Sequence, residues 1–282
     1  MLSFLDANVK NSIFNLFSSV YEVRIRVNEN IKISGFDGTK ITTKEIPIKF
    51  TKSMIERTVF SLCNYSIYSV EESLKLGFIT SVEGERVGVL GRCVLNNDNV
   101  VTIKDFSSLC IRIPHDVIGC SNGYFNTITE PKSCLVISKP FQGKTTFIRD
   151  LGRNYANKYN VLFVDERDEL SANGSFYLGK NSDVLSYCTK KFGFFNGVRS
   201  YNPDVIVCDE IMTKEDCEGI EFALLSGVKV IASVHSNNIE NISKKPYLSA
   251  ILAKKCFDDL IVLNAFKPSV FKGDQCLNYS CV

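Results

Sequence analysis

Residues 135–149, LVISKPFQGKTTFIR, restrict the fold of this chain more than any other stretch. Leu135, Val136 and Ile137 form an apolar, β-branched run that suits a buried strand. Ser138, Lys139, Pro140, Phe141 and Gln142 then turn the chain, and Gly143, Lys144, Thr145 and Thr146 lead into a helical pattern carried by Phe147, Ile148 and Leu151. Strand, loop, Gly-Lys-Thr and helix is the order of a phosphate-binding loop. Gly143 lets the backbone approach phosphate oxygens, and the amide N–H groups at the helix start point at the anion. Lys144 is expected to reach the β- and γ-phosphates of ATP, with the Thr145 hydroxyl on Mg²⁺. Ser138 stands where the loop pattern has its first glycine.

The rest of the sequence bears on which phosphate-binding protein this is. A chain of 282 residues can hold two modest domains. A formal net charge of +2 argues against a strongly basic nucleic-acid surface. No apolar run approaches the ~20 residues of a membrane span. Asp6 and Lys10 interrupt the N-terminal segment, which reads as an amphipathic helix and not as a signal peptide. The 11 cysteines contain no Cys-x-x-Cys pair and have only His115 and His235 as companions, so they read as small buried residues in a reducing cytosol.

Residues 1–117 read as a small α+β domain. Tyr21 to Val27 alternates, with Glu22, Arg24 and Arg26 on one face of a strand, and Ile31 to Ser34 continues as a second. Ser53 with Glu56, and Ser69 with Glu72, have the spacing of helix-starting capping boxes. A β segment from Arg86 turns at residues 96–99 and returns through Ile103, and Ile111, Arg112 and Ile113 close the domain. Residues 118–132, with Gly119, Gly123 and Pro131, read as a linker.

From Ser133 the pattern changes to apolar runs at 134–137, 161–164, 204–208, 228–234 and 260–263, alternating with helices. Buried parallel strands look like this, and the repetition predicts a doubly wound α/β domain over 133–264 that binds ligands at the carboxyl ends of its strands. Residues 265–282 show no period and are expected to form a loose tail. Several of these strands end in polar residues. One runs into the phosphate loop; the others end at Asp165, Glu166 and Arg167, at Asp209 and Glu210, and at His235. An apolar run followed by Asp-Glu suits a Walker B site. There Asp209 serves Mg²⁺, Glu210 accepts a proton from or orients the attacking water, and Glu166 competes for that role. His235 can sense the γ-phosphate.

Arg199, Pro203 and Asp204 ahead of the strand ending at Asp209 resemble the Walker B region of type II and type IV secretion ATPases. Residues 232–235, Ala-Ser-Val-His, are similar to their histidine box, and Asp165, Glu166 and Arg167 stand where their aspartate box stands. A resemblance to the stage III sporulation AA family of endospore-forming bacteria covers nearly the whole chain. It rests on residues 65–80, 86–88, 102–105 and 111–113 in the first domain, and on 165–170, 213–218 and 244–246 in the second. That family usually has glycine at 138 and at 236, where this chain has serine. The resemblance implies a RecA-like P-loop NTPase domain behind the smaller N-terminal α+β domain, and a cytoplasmic ATPase that forms a homo-oligomer, a hexameric ring. It also implies peripheral attachment to membrane proteins of a sporulation channel complex between mother cell and forespore. Such a ring needs a basic finger in trans. Arg112, with Arg24 or Arg26, is the candidate from the first domain and Arg199 from the second. Two other functions fit the phosphate loop: a RecA-like motor on nucleic acid, disfavoured by the charge, and a nucleotide-dependent scaffold without turnover.

Overall fold

The computed structural model describes residues 1–63, 74–75, 77–97, 99–140, 142–243, 246–264 and 266–273. The chain forms two compact units, one of residues 1–115 with 172–175, the other of 116–171 with 176–282.

In the first unit, Asp6 caps helix α1 (Ala7–Phe14) by accepting the Asn8 N–H at 2.8 Å. Strands β1 (Ser19–Arg26), β2 (Asn30–Phe36) and β3 (Ile41–Lys49) precede helix α2 (Lys52–Leu62). Then come β4 (Phe78–Thr80), β5 (Arg86–Asn96) and β6 (Asn99–Arg112). They form an antiparallel sheet in the order β3-β2-β1-β6-β5-β4. Along β1, Val23 and Ile25 are buried while Arg24 and Arg26 are exposed, as alternation requires. Val23 and Ile25 join Ile31, Ile33, Ile55, Leu109 and Ile111 in one core. The structure corrects the expected helix start at Ser53: Thr51 is the cap, and its hydroxyl accepts the Met54 N–H at 3.3 Å. Ser69 and Glu72 lie outside the described residues. β6 also runs unbroken through what reads in sequence as two strands.

In the second unit a short helix α3 (Asn122–Phe125) leads to β7 (Cys134–Ser138) and α4 (Lys144–Tyr155). β8 (Val161–Asp165), β9 (Ser182–Ser186), α5 (Lys190–Ser200), β10 (Val205–Cys208), α6 (Lys214–Leu225) and β11 (Lys229–His235) follow. The chain continues with α7 (Ile239–Ser243), α8 (Pro246–Ala253), β12 (Asp259–Asn264) and β13 (Lys267–Lys272). The sheet order is β13-β12-β7-β11-β10-β8-β9, parallel except for β13. β7, β8 and β10 are buried at every residue, which explains their unbroken apolar runs. Cys134, Cys208 and Cys217 are buried in this unit; desolvation pushes the Cys134 and Cys217 thiols up to about 12. No helix among the described residues is long and apolar enough to cross a membrane.

Two sequence expectations change here. The stretch expected as a linker packs into the second unit, beginning at Asp116, because α4 supplies buried partners for it. Asp150 accepts the N–H groups of Gly119 (2.9 Å) and Ser121 (2.8 Å). Arg153 donates to both oxygens of Asp116 at 2.5 and 2.6 Å. The expected loose tail begins instead with β13, paired antiparallel to β12 through Asn264 and Lys267. All six β13 residues are exposed, so no apolar alternation announces the strand.

Candidate functional site

Parallel strands deliver their carboxyl ends to one rim. β7 ends at Ser138, which pairs with His235 at the end of β11. The Ser138 hydroxyl donates to the Lys139 carbonyl at 2.8 Å, and the Ser138 carbonyl accepts the Ser236 N–H at 3.1 Å. Lys139 and Pro140 are exposed, and Phe141 lies outside the described residues. Gly143 sits at φ +82°, a left-handed conformation that favours glycine, and begins α4. The N–H groups of the first turn, including Lys144, Thr145 and Thr146, have no intrahelical acceptor in any α-helix and so face an anion-binding position.

Lys144 is 5% exposed. Burial depresses its pKa, opposed by the charges of Asp209, Glu210 and Glu169. Its ammonium donates to His235 Nδ1 at 2.8 Å. That bond leaves the proton of a neutral imidazole on Nε2, which stands 3.4 Å from Glu210 Oε1. Arg167 approaches the other Glu210 oxygen at 3.3 Å. Lys144, His235, Glu210 and Arg167 therefore form a continuous polar chain. Glu210 itself holds φ +47°, uncommon for a residue with a Cβ. Its backbone N–H donates to Asp209 Oδ1 at 2.9 Å and to Ser233 Oγ at 3.0 Å.

Asp209 is the other centre. The Thr145 hydroxyl donates to its Oδ2 at 2.5 Å, and the fully buried Ser233 hydroxyl donates to its Oδ1. No cluster of three or more His, Cys, Asp or Glu with metal-binding geometry occurs among the described residues. An all-protein metal cage is therefore not formed there, but Mg²⁺ seldom uses one: it takes one or two protein oxygens together with water and phosphate oxygens. The hydroxyl of Thr145 and the carboxylate of Asp209, already in contact, fit that donor set.

The remaining acids separate by environment. Asp165 is buried and accepts the N–H groups of Glu169, Leu170 and Ser171 at 2.8–3.1 Å. Desolvation raises its pKa, and its bonds fix the loop after β8. Glu166 pairs at 2.5 Å with Lys190, which is 4% exposed at the start of α5. Desolvation works to lower the Lys190 pKa, but the Glu166 hydrogen bond and nearby acidic groups raise it. Arg199 lies in the last turn of α5, ahead of β10 and so at the opposite rim, with its guanidinium 5.9 Å from the centre of the Phe222 ring. Arg112 is exposed at the end of β6 in the first unit, and Arg24 there bonds Glu22 at 2.5 Å. The structure thus gathers Lys144, Thr145, Asp209, Glu210 and His235, with Glu166 nearby, and keeps Arg199 away from the loop of its own chain.

Sequence reasoning did not single out Ser233, Arg167 or Lys190 as individual site residues. Ser233 had a signal: it lies two residues before His235 on an apolar strand and therefore shares its face. Also absent from the sequence reading is a cavity of about 210 Å³ beside Gly143, walled by Val117, Phe147, Leu263 and Phe266.

The α/β fold with its parallel sheet is similar to that of two solved structures. The ATPase DotB of Legionella pneumophila superposes with a TM-score of 0.58 at 12% identity, over 93% of this chain and 78% of its own. The pilus retraction motor PilT, solved with bound ADP, gives 0.59 at 13% identity, over 92% and 78%. In sequence, residues 6–274 match the family described as sporulation stage III, protein AA, and the chain belongs to that family. Stage III sporulation protein AA of Bacillus subtilis (strain 168) is 32% identical over 93% of this chain and 90% of its own length. An uncharacterized protein, ycf45, of Cyanidium caldarium is 27% identical over 60% of this chain and 55% of its own.

Proposed function

We propose that this chain is a Mg²⁺-dependent ATPase that works as a homo-oligomeric, hexameric motor for a channel complex in sporulation, at the cytoplasmic face of the membrane. The observation that carries it is the bonded chain from Lys144 through His235 to Glu210 at the head of α4. A phosphate bound at the Gly143 turn offers Lys144 oxygen acceptors in place of His235 Nδ1. His235 then reports the γ-phosphate, and the rearrangement reaches Glu210 through Nε2. Thr145 and Asp209 would hold Mg²⁺, which when bound neutralises charge between the β- and γ-phosphates.

Glu210 is the residue assigned to orient and deprotonate water. Its carboxylate is held only at 3.3–3.4 Å, by Arg167 and His235, whereas that of Glu166 is engaged at 2.5 Å by buried Lys190. Ser233 fixes both the Asp209 carboxylate and the turn that aims Glu210. Arg112, or Arg199 from an adjacent copy, supplies the cation at the γ-phosphate. The printed names, a stage III sporulation protein, an ATPase and a pilus retraction motor, support the assignment.

The test is steady-state ATP hydrolysis across a protein concentration series, with Lys144→Ala and Glu210→Gln alongside. Turnover that rises faster than linearly with concentration and is lost in both variants is expected. Turnover that persists in Lys144→Ala refutes the site. Equal turnover by Arg112→Ala and wild type removes Arg112 from the ring.

A further inference from the structure

The cavity beside the phosphate loop has a composition that phosphate chemistry does not need. Its walls are Val117, Phe147, Leu263 and Phe266, and Gln142 is the one lining side chain with an amide. At about 210 Å³ it is smaller than a site that encloses a whole ligand, but it shares the make-up of one, mostly apolar with a placed polar group. It also touches Gly143 and Thr146, so a ligand lying in it is continuous with whatever occupies the N-terminus of α4.

Phe266 is the unusual member. It occupies the turn between β12 and β13, with φ +65°, a conformation that is strained for a residue of its size. The residue is 71% exposed, so the strain does not serve the core. The ring stands directly over the loop: a Cβ built on Gly143 would lie 3.0 Å from Phe266 Cδ1. On the opposite side, Cys120 Sγ donates to the Thr146 carbonyl at 3.6 Å and holds the segment carrying Val117 against α4.

Resting on the phosphate-loop assignment above, we propose that this cavity is the nucleobase subsite. Phe266 is the stacking face for a purine, and the Gln142 amide meets the base edge. A planar base presents two apolar faces and a polar rim, and this cavity presents apolar walls and one amide that can both donate and accept. Stacking on an aromatic face depends little on which base is present, so the site favours purines over pyrimidines by ring area and distinguishes adenine from guanine weakly.

Isothermal titration of the full chain with Mg-ATP and with Mg-tripolyphosphate separates the base from the phosphates. Phe266→Ala is expected to weaken ATP by roughly 10-fold while leaving tripolyphosphate unchanged, and to raise KM without lowering kcat. Phe266→Tyr is expected to restore ATP binding. Equal weakening of both ligands, or no change in ATP, overturns the subsite. Wild type that binds ATP no better than tripolyphosphate overturns the subsite and leaves the phosphate loop standing. Wild type that binds neither removes the phosphate-loop assignment, and the subsite with it.

Discussion

Replacing Asp150 with asparagine tests how the segment before β7 is tied to the helix that carries the phosphate loop. Asp150 is 1% exposed. Oδ1 accepts the Gly119 N–H and the Arg153 guanidinium, each at 2.9 Å, and Oδ2 accepts the N–H and hydroxyl of Ser121 at 2.8 and 2.7 Å. Asparagine must place an NH₂ at one of these positions, where it meets two donors and offers them no acceptor. Hydrogen bonds to a charged group contribute about 1.5–3 kcal/mol each. Arg153 keeps Asp116 and the Tyr177 carbonyl, so the lower part of the range applies to it. The expected loss is about 3 kcal/mol, which at 1–3 kcal/mol per molar urea moves the midpoint of the second unit down by about 1–3 M.

The same carboxylate predicts a pH signature. Burial alone raises its pKa, but the hydrogen bonds from Ser121 and Gly119 and the charge of Arg153 outweigh burial and hold it below the usual carboxylate range. A depressed folded pKa contributes stability that is fully present above the unfolded value of about 3.9 and disappears as pH falls through the folded one. Urea unfolding of full-length wild type and Asp150→Asn should therefore show a constant gap from about pH 5 to 7 that closes below about pH 4. A gap under about 0.3 M urea at pH 7 refutes the reasoning.

Ser233→Ala removes the hydroxyl that binds Asp209 Oδ1 and accepts the Glu210 N–H. Turnover should fall about 10- to 100-fold with a raised Mg²⁺ requirement, and Ser233→Thr should recover most of it. Glu166→Gln strips the buried Lys190 ammonium of its charged partner, and should cost about 2–3 kcal/mol in urea unfolding while sparing turnover that Glu210→Gln abolishes. Gly152→Ala places a methyl 2.7 Å from Phe163 Cζ and 2.8 Å from Val207 Cγ2, where α4 crosses the sheet. It should lower stability by about 1–3 kcal/mol, and a thermal midpoint equal to wild type would show that the sheet can yield.

The inner strands of the second unit were legible because burial on both faces excludes polar residues. β9 and β13 were not, since they are sheet edges, and edge strands can be exposed and polar. β3 escaped for the same reason: Ile46 is its one buried residue. The convergence of Lys144, Asp209, Glu210 and His235 on one rim was readable because parallel strands fix where their carboxyl ends meet. The separation of Glu166 from Glu210 was not, because it depends on Lys190, 24 residues further along and delivered by a different helix. Arg199 precedes β10 and so lies at its start, whereas Asp209 and Glu210 follow its end, so within one chain the two sit at opposite rims.

Ser138 and Ser236, where the family resemblance leads to an expectation of glycine, are joined in this structure. Ser138 ends β7, Ser236 follows β11, and the Ser236 N–H donates to the Ser138 carbonyl. Neither residue has a positive φ, so neither position needs glycine's conformational freedom. The Ser138 hydroxyl is satisfied by the Lys139 carbonyl, and that of Ser236 by the Asn238 carbonyl at 2.8 Å. Each serine therefore adds a local hydrogen bond where the chain leaves a strand for the site, and it narrows the unfolded ensemble relative to glycine. The bond between the two positions is made by backbone alone, so it ties the end of β7 to the residue after β11 whatever the side chains are. With the Lys144–His235 bond it gives the loop ahead of α4 and the end of β11 two connections.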